Sequence, residues 1–181
     1  MSMFYRVHPW IDGVSPAEPG HPFYVFPRQG GGRIDNVDSY STLYVSDAPA
    51  GAVAEAWGNF AEWSDALVEG PPNLPGSVRA ISSFEGAPEV SNLDDPSFLL
   101  EIGIRPSRVV TRNLRATQAW ALAIFTSYGG DGIRWWSYHD PDWGSLGLWS
   151  TSLLSYVGTE PLHSRHTAVI EAGHVLSRRW V

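Results

Sequence analysis

Hydrophobic and polar positions along the chain predict several short strands and two clear helices. Phe4 to His8 alternates weakly and reads as a first strand. Residues 23–28 (Phe-Tyr-Val-Phe-Pro-Arg) read as a second extended piece. Ser41 to Ser46 is a strand by its β-branched and aromatic content. Arg79 to Phe84 predicts another strand, and Arg108 to Thr111 a weaker one. Gly132 to Trp149 reads as two strands joined by the turn Asp140-Pro141-Asp142-Trp143-Gly144.

The first helix is expected to start at Asp47, with Asp as the N-cap and Pro49 in the first turn. Val53, Trp57 and Phe60 then fall at i, i+4 and i+7 on one apolar face. Glu55 lies about 200° around the helix from Val53, off that face and toward solvent or a cleft. The second helix, Asn113 to Tyr128, is rich in Ala and Leu and is closed by Gly129-Gly130. Residues 167–181 read as a terminal strand, a helix, or both. Residues 12–22, 69–77 and 86–97 are rich in Gly, Pro or Asp and predict loops. Gly30-Gly31-Gly32-Arg33 predicts a further loop with unusual backbone freedom. Strands outnumber helices, which gives a mixed α+β fold. No repeat or compositional break divides the chain, so residues 1–181 read as a single domain.

Composition narrows the chemistry. The 181 residues, 43% hydrophobic and 17% charged, are enough to bury a core without staples. No apolar run reaches the ~18 residues of a membrane span, and the N-terminus lacks signal-peptide features. A cytoplasmic protein with no membrane association is expected. There is no Cys, which excludes disulfides, thiolate metal sites and a Cys nucleophile. All 12 basic residues are Arg, so Schiff-base and Walker A lysines are excluded. Arg keeps bidentate grips on phosphate and carboxylate. The net charge of -7 argues against direct nucleic-acid binding. Most of the 9 Trp are expected in the core, with one or two free to stack on a planar ligand. His163, His166 and Glu171 lack a further ligand at convincing spacing, and no metal is expected. His8, close to Arg6, reads more readily as a surface residue than as part of a cleft.

Four local motifs, in order, carry a resemblance. They are Tyr5-Arg6 on the opening strand, the loop Gly31-Gly32-Arg33, and Leu43-Tyr44-Val45-Ser46-Asp47 followed by Glu55. The fourth joins Thr117-Gln118-Ala119-Trp120 to Gly130-Asp131-Gly132-Ile133-Arg134-Trp135-Trp136-Ser137. Together they resemble the RES domain, a family named for an Arg, a Glu and a Ser, over roughly residues 4–150. Ile34-Asp35-Asn36 departs from the aromatic, Asn and Pro that usually follow the family's Gly-Gly-Arg.

The resemblance implies the toxin half of a bacterial toxin–antitoxin pair, with an Xre-type antitoxin as partner. It implies an ADP-ribosyltransferase-like split β-core around an NAD cleft. The implied activity is cleavage of NAD at the nicotinamide–ribose bond, as an NAD glycohydrolase or NAD phosphorylase. Transfer of ADP-ribose to a protein, or a non-catalytic interaction module on the same fold, are the alternatives.

The residue types suit that chemistry. Bond cleavage leaves an oxocarbenium-like sugar, which a carboxylate stabilises, and Glu55 is the candidate. Arg6 and Arg33 are candidates for the pyrophosphate, with Gly32 allowing close backbone approach. Arg6 also counts among the candidate catalytic residues. Tyr44 or Trp136 would wall the nicotinamide. Ser137 would hydrogen-bond the ribose or the amide.

Overall fold

The computed structural model describes every residue of the chain except Arg28. Among the described residues seven strands form one sheet: β1 (Ser2–Trp10), β2 (Leu43–Ser46), β3 (Val78–Gly86), β4 (Val90–Asn92), β5 (Gly132–Trp136), β6 (Gly144–Leu148) and β7 (Leu154–Pro161). Their spatial order is β4-β5-β6-β2-β1-β3-β7. Neighbours are antiparallel except β4 and β5. β1 and β3 pair over their whole length, from Ser2↔Gly86 to Trp10↔Val78. β1 and β2 pair only at Tyr5↔Ser46, so the middle of the sheet carries a seam.

Among the described residues five α-helices flank the sheet: α1 (Pro49–Trp57), α2 (Pro96–Glu101), α3 (Pro106–Val109), α4 (Leu114–Tyr128) and α5 (Thr167–Val175). Alternation along β1 sends Tyr5 and Val7 to one face, where they pack with Val53 and Trp57 of α1 and Val169 of α5. Phe4 faces the other way, into a cluster with Phe84, Leu146, Phe23 and Val25. A third cluster joins α4, through Trp120 and Ile124, to Ile133 and Trp135 of β5 and to Ile34.

Pro49 opens α1 as expected, but Ala48 is the N-cap residue and makes no side-chain cap. Asp47 is drawn away: its carboxylate accepts from Gly144 N at 2.7 Å and from Arg134 Nη2 at 3.0 Å. Phe60 lies beyond the helix end and is 49% exposed, so Val53 and Trp57 alone of the expected trio are buried. Asn113 caps α4, its side chain accepting from Ala116 N at 3.2 Å.

Several expected elements differ. Arg108–Thr111 is not a strand; Pro106 starts the short helix α3, because its fixed φ suits a first helical turn. Residues 23–27 form no strand, and Arg28, the end of that expected segment, lies outside the described residues. Residues 86–97 are more than a loop: β4 pairs with β5, and Asp95 caps α2 by accepting from Ser97 N at 2.8 Å. His8 is not on the surface but 3% exposed. The last segment is helical over Thr167–Val175, followed by a single bridge from Trp180 to Trp63.

Candidate functional site

A cleft of about 530 Å³ opens at the seam between β1 and β2. Arg6, Gly32, Arg33, Tyr44 and Glu55 all line it. The opening strand, the glycine loop, the second strand and the first helix therefore converge on one hollow.

The two arginines are held in the same manner. Arg6 Nη1 donates to the carbonyls of Pro22 at 2.6 Å and Tyr24 at 2.8 Å. Arg33 Nη1 donates to the carbonyls of Val109 at 2.7 Å and Thr111 at 2.8 Å. One nitrogen anchors each guanidinium to backbone, while Nε and Nη2 make no hydrogen bond among the described residues. A guanidinium carries five N–H donors, so each keeps several for a ligand.

Electrostatics favour an anion here. Burial lowers the pKa of Arg6 from 12.5 to about 10, which still leaves it charged near neutrality. It pairs with no carboxylate among the described residues. A desolvated cation without a counter-ion is relieved by an incoming anion. Burial also lowers the pKa of Arg33, opposed by the negative charge of Glu55.

Glu55 projects from the exposed side of α1. Its Oε1 accepts from Ser137 Oγ at 2.6 Å and from Ser145 Oγ at 3.1 Å. Both serines are buried, so one carboxylate oxygen is fixed while Oε2 makes no hydrogen bond among the described residues. Ser137 follows β5 and reaches the site through Glu55 rather than by lining the cleft.

Tyr44 stands on β2, and its hydroxyl donates to Asp35 Oδ1 at 2.6 Å while accepting from Ile34 N at 3.1 Å. Burial, with the Asp35 carboxylate beside it, pushes its pKa far above the ordinary tyrosine value. Asp35 also accepts from Gly32 N at 2.6 Å. A Cβ on Gly32 would collide with the Tyr44 hydroxyl, so only glycine fits between ring and loop. Gln118 of α4 ties the loop from the other side, donating to the carbonyls of Gly30 at 3.1 Å and Gly32 at 3.0 Å.

Trp136, expected as a second aromatic wall, is not among the lining residues; Trp135 takes that place. The reason is strand alternation: neighbouring residues of β5 face opposite sides of the sheet. Asp35, Gln118 and Ser145 were not anticipated. Gln118 sits inside a recognised motif and Asp35 in the stretch that departs from one, but their task is to hold the loop, which only the folded chain reveals. The signal for Ser145 is weaker still, a hydroxyl within the glycine-rich strand 144–148. His166 lies within 3.4 Å of Glu160, and no group of three or more potential metal ligands occurs among the described residues.

A mixed α+β sheet therefore carries two anchored arginines and one fixed carboxylate around its seam, a set of groups suited to holding an anion. The RES domain family model matches residues 4–162, and the chain belongs to the RES domain family. Its fold is similar to that of a chain in the crystal structure of the M. tuberculosis MbcT-MbcA toxin-antitoxin complex. That match has a TM-score of 0.62 at 13% identity and covers 97% of this chain and 89% of the other. No curated protein matches the chain in sequence.

Proposed function

We propose that this protein is a toxin that cleaves NAD at the nicotinamide–ribose bond. The observation that carries the reading is the convergence of Arg6, Arg33, Tyr44 and Glu55 on one cleft. The cleft volume of about 530 Å³ lies within the range of small-molecule sites. Membership of the RES family, and a fold shared with a chain of a toxin-antitoxin complex, support the toxin assignment and an antitoxin partner. The seam between β1 and β2 fits the split core of an ADP-ribosyltransferase-like enzyme.

In this reading the free N–H groups of Arg6 and Arg33 grip the pyrophosphate. Tyr44 and Trp135 form the aromatic wall for the nicotinamide. Glu55 Oε2 faces the ribose carbon as nicotinamide leaves with the bonding electron pair, stabilising the positive charge that develops there until water or phosphate bonds to that carbon. Ser137 and Ser145 keep that carboxylate in place, so little reorganisation accompanies the reaction. An Xre-type antitoxin would act by closing the cleft.

Purified protein incubated with NAD should release free nicotinamide, measured with water alone and with added phosphate. Glu55→Gln should lower the rate by about a hundredfold or more, with the melting temperature little changed. No release under either condition, and none onto a protein acceptor traced with labelled NAD, sinks the enzymatic reading. Label on a protein rather than on small products would instead make it a transferase.

A further inference from the structure

A second hollow, of about 480 Å³, lies against α3 and α4 and shares no residue with the cleft. Gly103, Arg105, Arg108, Ala116 and Trp120 line it. Arg105 and Arg108 are exposed, one turn apart at the two ends of α3. Among the described residues neither forms an ion pair. The chain holds 19 acidic residues, yet residues 102–130 contain none. The nearest acid before this stretch, Glu101, ends α2.

Trp120 supplies an independent observation. It is 9% exposed, and its buried Nε1–H has no acceptor among the described residues. A buried donor without an acceptor is destabilising, and native proteins seldom keep one without a use. Indole and guanidinium groups can only donate. The polar side chains lining this hollow are therefore all donors, two of them cationic. Their complement is an anion that only accepts, and paired guanidinium groups suit the oxygens of a phosphate. The hollow exceeds what a bare phosphate fills and lies within the range of small-molecule sites.

We infer that Arg105, Arg108 and the Trp120 indole N–H form a second binding site, for the phosphate group of a small phosphorylated molecule. The site stands apart from the NAD reading, since none of its residues lines the cleft. It nonetheless sits on the segment whose Val109 and Thr111 carbonyls anchor Arg33.

The test is titration of the full chain, in phosphate-free buffer at constant ionic strength, followed by the indole N–H resonances. Trp120→Phe assigns the Trp120 signal by its disappearance. Ribose 5-phosphate and inorganic phosphate are the two probes. Saturable movement of the Trp120 signal by either probe supports the site. A response to ribose 5-phosphate alone shows that the body of the ligand is needed; equal responses show that the phosphate group suffices. Arg105→Gln with Arg108→Gln should weaken the response about tenfold or more, while leaving the other indole signals in place. The inference is overturned if neither probe moves the signal, or if the double variant titrates like the parent.

Discussion

At the scale of single residues, geometry around the cleft leaves little freedom. A side chain at Gly32 would run into the Tyr44 hydroxyl, so Gly32→Ala must displace either ring or loop. On the proposed reading this variant raises KM for NAD more than it lowers kcat, because the loop and Arg33 serve binding. Steady-state kinetics separate the two effects. His8 offers a prediction independent of activity. Its Nδ1 donates to the Pro9 carbonyl at 2.7 Å, which leaves Nε2 to accept from Ser82 Oγ at 2.7 Å. Burial, and then the charge of Arg6, lower its pKa from 6.5 to about 3. Between those values the unfolded chain binds the proton and the folded chain does not. Stability is therefore full above pH 6.5 and falls as pH drops toward 3, by about 1.4 kcal/mol per unit at most. Denaturant titrations across that window should show the slope, and His8→Gln should flatten it.

At the scale of elements, the site depends on how strands and helices are locked to one another. α1 presents Glu55, but β6 and the end of β5 hold it, through Ser145 and Ser137. Replacing both serines with Ala should reduce nicotinamide release while NAD binding by calorimetry stays close to the parent; unchanged turnover would show that Glu55 needs no such support. α4 fixes the glycine loop through Gln118, and Asn113 caps that helix. Asn113→Ala should cost about 1 kcal/mol of stability in urea unfolding. The expected strand at Arg108–Thr111 failed at this scale. Two adjacent valines within a short apolar run do not distinguish strand from helix, and Pro106 decided the matter.

At the scale of the whole molecule, the cleft is a seam in a continuous sheet. Full pairing of β1 with β3 makes one half, and β2, β6 and β5 make the other. A ligand bound at the seam touches both halves and binds only when they are assembled. ADP-ribose at a hundredfold excess over its Kd should therefore stabilise the fold by about 2.7 kcal/mol. Differential scanning calorimetry should register a rise in Tm of several degrees, and Arg6→Ala should abolish it. A Tm that ignores the ligand would argue against the seam as its site. No described helix is long and apolar enough to cross a membrane.

Local sequence determined α4, the central strands and the start of a helix at Pro49, because periodicity, proline placement and β-branched runs act over neighbouring positions, but it misplaced the cap and the end of α1. It also marked Arg6, Gly32, Arg33, Tyr44 and Glu55 through their ordered motifs. Only tertiary structure decided that Trp135 rather than Trp136 faces the cleft, that His8 is buried, and that Asp35, Ser145 and Gln118 brace the site. Those outcomes depend on contacts between segments far apart in the chain, such as Glu55 with Ser145 and Gly30 with Gln118. A side chain's neighbours across a sheet are set by strand order and register, and no local window of sequence contains them.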